Sequence, residues 1–243
     1  MRGLKKATAV AAAAGVTVLL AGAVGCGSDD KEAFDGQSAD QIAAKAVEAT
    51  RQAKSMHMKG NVAQSGGQRV AVDLSVDDQK NCQGTVTNAQ AVSDIRHKDA
   101  TLFLKGNAAY WQNSLKQQPQ ADAIVPKVAD KWVRMPASDD QLTGLCDKQG
   151  LVAAMDEDKS ERQGLTRGST TTIDGTKALE LKKDKNGATQ SMFVATEGKP
   201  YILKVTSGGT KSETTLFTDY DKPVNPEQPP ANQTVDIKQL LTR

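Results

Sequence analysis

Residues 38–76 read SADQIAAKAVEATRQAKSMHMKGNVAQSGGQRVAVDLSV. Inside this stretch the hydrophobic period changes from that of a helix to that of a strand, and the change decides the fold class. Ser38 stands where a cap is needed and Gln41 follows three residues later, the spacing of a capping box. Ile42, Ala46, Val47, Ala49 and Ala53 recur at helical spacing, and Arg51 and Lys54 place positive charge at the end where the helix dipole favours it. The spacing predicts a helix over 39–54. From Met56 onward the apolar residues alternate. Met56, Met58 and Val62 are interleaved with His57, Lys59 and Asn61, and Val70, Val72, Leu74 and Val76 with Ala71, Asp73 and Ser75. A period of two marks a half-buried strand. Ser65-Gly66-Gly67-Gln68 between the runs is a turn signal, so a helix followed by an antiparallel hairpin is expected.

The strand pattern continues outward. Cys82 to Thr87 follows an Asp77-Asp78-Gln79 turn; residues 92–96 and 100–105 come next, then a Gly106-Asn107 turn into Ala108-Ala-Tyr-Trp111, and a short apolar run from Trp132 to Met135. Residues 114–131 are rich in Gln and Ala, and Pro119 and Pro126 break any long element there. Ser138 caps a second helical stretch, with Leu142, Leu145 and Cys146 on one face. Gly150 interrupts it and Leu151, Val152 and Met155 continue it. The acidic run Asp156-Glu157-Asp158 after it reads as a solvated surface. Segments 169–174, 177–183, 190–196, 201–206 and 213–220 read as strands. Asp174-Gly175, Asn186-Gly187, Glu197-Gly198 and Gly208-Gly209 separate them as hairpin turns. A Pro-rich tail, PVNPEQPPANQT over 223–234, ends in an apolar close, Val235, Ile237, Leu240 and Leu241, that is expected to dock. Helix, strands, helical insert and strand meander together predict an α+β domain, one large curved antiparallel sheet with helices packed on its concave side.

The N-terminus is of a different kind. Met1 to Lys6 is basic, Ala7 to Val24 is uncharged and apolar, and small residues precede Cys26. That order makes an export signal over 1–25. A retained transmembrane helix is the competing reading by length. Ala23-Val24-Gly25-Cys26 resembles the lipobox of bacterial lipoproteins, with Ala23 where Leu, Ile or Val is usual. The resemblance implies cleavage before Cys26, a diacylglyceryl group on its thiol and an acylated new amine, palmitate being the expected acid. Residues 26–37 (lipid-bearing Cys26, then GSDDKEAFDGQ) read as a solvated tether, and 38–243 as a single domain.

Among 243 residues Lys plus Arg total 31 and Asp plus Glu total 29. The first 25 residues carry Arg2, Lys5 and Lys6 and no acid, which leaves 28 basic and 29 acidic residues in the remainder. That balance argues against a nucleic-acid binder acting through a broad basic surface. With 2 His and 3 Cys, a multi-histidine metal site or a Cys-rich zinc module is not expected, and no cofactor is. Setting Cys26 aside leaves Cys82 and Cys146 as one pair. Export places them where disulfides persist, and a bridge is expected over the alternative of two free thiols.

The opening helix ends in Lys54-Ser55-Met56-His57-Met58. Tyr110-Trp111 and Lys131-Trp132-Val133 follow as strand pieces, then the Thr172-Ile173-Asp174-Gly175 turn. Pro229-Pro230-Ala231 precedes Val235-Asp236-Ile237. In this order the elements resemble the actinobacterial lipoproteins of the LppX/LprG group, which share the fold of the lipoprotein carrier LolA. The resemblance implies a strongly bent half-barrel whose helices fill its open side, and an apolar cavity that accepts acyl chains. It also implies a role in holding or moving lipids or lipoglycans at the outer face of the cell membrane.

HExxH, G-x-S-x-G, CxxC and a Walker loop are all missing from the sequence. Gly208-Gly209-Thr210-Lys211-Ser212 lacks the glycine spacing of a phosphate loop. His57 follows strand alternation, and His97 lies in a charged patch with Arg96, Lys98 and Asp99. A non-enzyme is expected. The expected cavity has two walls. Leu142, Leu145, Leu151, Val152 and Met155 form one, and Val70, Val72, Leu74, Leu102 and Leu104 the other. A closed core of the same residues is the competing arrangement. The expected partners are the membrane, through the acyl chains, a lipid or lipoglycan ligand and a membrane transporter; nucleic acid is not among them, and the chain is expected to be a monomer. A surface interaction or sensor lipoprotein without lipid cargo is the alternative function.

Overall fold

The computed structural model describes residues 33–63, 69–136, 144–156, 162–185, 187–208 and 212–236. The Ser65–Gln68 turn, the cap at Ser138 and Leu142, the 1–25 signal with Cys26, and Ile237, Leu240 and Leu241 all lie outside them.

α1 (Ala39–Gln52) begins as its sequence requires: the Ser38 hydroxyl accepts from the Gln41 amide, and the Gln41 side chain accepts from the Ser38 amide. Two antiparallel meanders follow. The first comprises β1 (Ser55–Ala63), β2 (Arg69–Asp77), β3 (Cys82–Asn88), β4 (Ala91–Lys98), β5 (Thr101–Gly106) and β6 (Trp132–Pro136). The second comprises β7 (Thr166–Ile173), β8 (Thr176–Lys185), β9 (Ala188–Ala195), β10 (Ile202–Ser207) and β11 (Glu213–Thr218). They merge where β1 takes β11 as its second neighbour, with His57 opposite both Ser75 and Thr218. The result is one open sheet of 12 strands in the order β12-β6-β5-β4-β3-β2-β1-β11-β10-β9-β8-β7. β12 (Thr234–Asp236) joins the edge in parallel with β6, so Val235 docks as a strand opposite Val133.

Strand alternation gives the sheet two unlike faces. Met56, Met58, Val70, Val72, Leu74, Val76, Ile95, Leu102, Leu104, Leu181, Val194 and Phe217 belong to one buried cluster with Ile42, Ala46 and Val47 of α1. A smaller cluster on the other face of the second meander joins Ala178, Ala195 and Leu203. α1 packs against β7, β9, β10 and a later short helix.

The segment after β5 corrects the sequence reading. Ala108-Ala-Tyr-Trp111 is not a strand; it opens α2 (Ala108–Leu115), because Asn107 acts as an N-cap whose side chain accepts from the Tyr110 amide at 2.8 Å. Between 114 and 131 only short elements form, as Pro119 and Pro126 lead one to expect. Residues 121–128 form α3 (Ala121–Val128), with Pro126 in its last turn and Ile124, Val125 and Val128 buried. α2 packs on α3, β4 and β5. The described part of the helical insert is a 3-10 turn (Gly144–Cys146) and α4 (Lys148–Ala154), which Asp147 caps by accepting from the Gly150 amide at 3.0 Å.

Candidate functional site

The residues expected to form the two walls come together on the helix-bearing face. Val70, Val72, Leu74, Leu102, Leu104 and Val152 are buried in the large cluster, and Leu145, Leu151 and Met155 pack against it half-buried. Leu142 lies outside the described residues. Around them stand further half-buried apolar side chains, among them Val86, Leu115, Met135, Met192 and Val205. Burial of this kind is what a cavity wall and a closed core both require.

α4 is fastened over this face by the expected bridge and by polar contacts that the neighbouring residues in sequence do not announce. Cys82, the first residue of β3, is bridged to Cys146, 64 positions further along the sequence, with Cα atoms 5.3 Å apart. Lys148 is 1% exposed, and its ammonium donates to the Arg51 carbonyl at 2.8 Å, at the C-terminal end of α1. The Gln149 side-chain Nε2 donates to the same carbonyl at 3.1 Å. A cation there satisfies an orphan helix carbonyl and meets the negative end of the dipole. Burial pushes the Lys148 ammonium below the usual lysine range. Lys80 pairs with Asp147 at 3.4 Å. Asp156, the one described member of the acidic run, is not a solvated surface group; it is half-buried and pairs with Arg162 at 2.9 Å.

His97 is also displaced from its expected place. The alternation of β4 turns it inward beside the bridge, opposite Cys82, where it is 4% exposed and its Nδ1 meets the Lys80 carbonyl. His57 faces the other way. Its Nε2 lies 2.7 Å from Asp73 and its Nδ1 3.2 Å from the Thr218 hydroxyl, while Lys59 pairs with Asp73 at 2.8 Å. Lys59 and then His57 hold the Asp73 carboxyl below its usual range.

Two hollows are described, and neither is lined by the expected wall residues. One, of about 660 Å³, opens at the hairpin end of the second meander. Its apolar floor includes Ile173, Ala195, Leu203 and the Tyr201 ring, which stacks on Tyr220 at 4.0 Å; Glu197, Lys199, Asp219 and Lys222 form its rim. Behind it, Asp221 accepts from the Tyr201 hydroxyl at 2.7 Å, the Lys54 amide at 2.8 Å and the Lys199 ammonium at 3.0 Å. These donors, the Tyr201 hydroxyl first, hold its carboxyl down to about 2. Sequence reading missed this hollow because its walls come from turns far apart in the chain. The other, of about 200 Å³, lies under the Pro-rich segment after β11. Among the described residues no group of three or more His, Cys, Asp or Glu could hold a metal, and no helix is long and apolar enough to cross a membrane.

No family model matches the chain, and no curated protein does. Solved structures are similar in fold. LprF from Mycobacterium bovis aligns over 79% of this chain and 96% of its own, at 13% identity and a TM-score of 0.54. The Mycobacterium tuberculosis lipoprotein LppX aligns over 77% and 97%, at 14% identity and a TM-score of 0.47. A LolA superfamily protein from Nitrosomonas europaea aligns over 78% and 96%, at 10% identity and a TM-score of 0.28.

Proposed function

We propose that this chain is a lipoprotein anchored by Cys26 at the outer face of the cell membrane, where it binds or transfers acylated lipids or lipoglycans between its sheet and helices. The observation that carries the reading is the continuous apolar face of the sheet. It runs from β6 through β1 to β8, is covered by α1 and α4 at one side and by α2 and α3 at the other, and is edged by half-buried Leu145, Leu151, Met155, Leu115 and Met135. A fold shared with LprF and the lipobox-like Ala23-Val24-Gly25-Cys26 support it. The mechanism is partition. Each acyl CH2 taken from water is worth about 0.8 kcal/mol, and half-buried apolar side chains at the helix edges give the chain a way in.

Native mass spectrometry of the protein purified from its own host, followed by organic extraction, tests the reading. A bound acyl lipid in near-stoichiometric amount is expected. Protein that arrives empty and takes up no lipid from mixed micelles would overturn it. One observation favours the second reading, a surface interaction or sensor lipoprotein: both described hollows are rimmed by charged groups and lie away from the apolar face. A stable protein partner recovered with lipid-free protein is the outcome that reading requires.

A further inference from the structure

Strand β4 alternates Ile95 and His97, buried toward the helices, with Arg96 and Lys98, which therefore stand on the opposite face. The register sets Arg96 opposite Phe103, and Phe103 opposite Arg134. Two arginines thus flank one phenylalanine that is only 5% exposed. The segment after β11 runs past this point. Its Val224, Pro226 and Pro229 are buried, and it completes the hollow of about 200 Å³ that Arg96, Lys98, Arg134, Thr101 and Phe103 line.

Arg96 is fixed in place twice. Its guanidinium lies over the Trp132 ring, 4.6 Å from the centroid, and its Nη1 donates to the Glu227 carbonyl at 3.0 Å. Neither contact neutralises it. None of Arg96, Lys98 and Arg134 has a carboxylate partner among the described residues, although Asp99 and Glu227 line the same hollow, leaving three cations against two acids. Like charges gathered on one sheet face repel, and an oxyanion between them reverses the sign of that energy. A guanidinium fork matches a phosphoryl group in geometry as well as in charge. The volume suits a phosphoryl group and the first atoms of its ester, and is too small for an acyl chain.

We propose that this hollow binds a phosphoryl oxyanion. Arg96 is the preset arm, Arg134 and Lys98 are the exposed arms, and the Thr101 hydroxyl is a further donor. The shared chemistry is a phosphate monoester, whether on a lipid headgroup or on a soluble molecule. The site is separate from the apolar interior and does not rest on the lipid-carrier reading.

The full chain in nonionic detergent is titrated calorimetrically at low salt with inorganic phosphate, with dihexanoyl phosphatidic acid and with dihexanoylglycerol as the phosphate-free control. Saturable binding of a phosphorylated probe is expected, lost as salt rises. Arg96 also holds the segment after β11, so the decisive variants are the exposed Lys98→Ala and Arg134→Ala, each checked for an unchanged melt. Each should weaken binding about tenfold. Phosphatidic acid bound much more tightly than phosphate, with both sensitive to the variants, assigns a headgroup; equal binding assigns a soluble phosphate ester. If neither phosphorylated probe saturates, or if the variants bind as tightly as the parent, the proposal fails. Lipid binding that the variants leave untouched, and that dihexanoylglycerol reproduces, belongs to the apolar interior and also counts against it.

Discussion

Asp221 shows how much one side chain can hold together here. It ties the linker between α1 and β1 to β10 and to the chain leaving β11. Its carboxyl titrates near 2 in the folded protein against an ordinary 3.8, so the unfolded chain binds the extra proton in between. Its contribution is complete above 3.8 and is lost as the pH falls toward 2. Asp221→Asn should remove that part of the acid loss and cost about 1 kcal/mol at neutral pH, a figure kept small because the carboxyl is partly exposed. Urea midpoints measured from pH 6 down to pH 2 check it; an unaltered acid slope in the variant counts against the assignment. Gly60 and Gly84 matter for a different reason. A Cβ at Gly60 would stand 2.1 Å from the Thr214 carbonyl oxygen, and one at Gly84 2.0 Å from that of Asp73. Both obstacles are backbone, and both glycines have positive φ, 159° and 153°. Gly84→Ala should therefore cost about 1–3 kcal/mol in a denaturant melt. A loss of a few tenths would show that the strands are not pinched there. Neither feature was legible beforehand. A glycine inside a strand announces a close approach without naming the partner, and Asp221 draws its donors from positions 54, 199 and 201.

At the scale of elements, legibility followed the length of the periodic signal. α1 and β1–β2 were plain because cap, dipole and period agree over many residues. The second meander was plain from turn dipeptides such as Asp174-Gly175, both of which take positive φ. α2 and α3 were hidden. Eight residues each are too few for a helical period to stand out, and a cap at Asn107 looks in sequence like a turn. His97 and Lys148 were hidden because charged neighbours mask inward-facing positions. The bridge was legible by elimination, since the expected export and the expected lipid on Cys26 leave one pair, and the structure contains it. It closes a long loop in the unfolded chain and pins α4 to β3. Cys146→Ser should cost about 4 kcal/mol in the chain-entropy picture. Denaturant melts of parent and variant, with and without reductant, check this. A reduced parent as stable as the oxidised one would mean that the helical insert is held by Lys148 and its partners alone.

For the whole molecule, what separates a carrier from a closed core is whether the apolar face encloses space. The sheet's alternation and the helices' placement put Val72 and Leu74 deep on that face, both 3% exposed or less. A lipid carrier and a plain closed core make the same burial pattern with opposite responses to added volume. In a filled core, Val72→Trp forces neighbours off their rotamers and costs about 1–3 kcal/mol. In a carrier the indole takes the place of acyl CH2 groups, so the fold keeps most of its stability and the ligand leaves. The carrier reading expects Val72→Trp to melt within about 1 kcal/mol of lipid-free parent while extracting with little or no bound lipid. It also expects lipid-loaded parent to melt above both, because a ligand bound only by the folded state stabilises it in proportion to RT ln(1 + [L]/Kd). A variant that melts far below a parent carrying no lipid leaves a protein whose interior is full. Its outward hollows, both with charged lining, are then the places at which to test for a ligand or a partner.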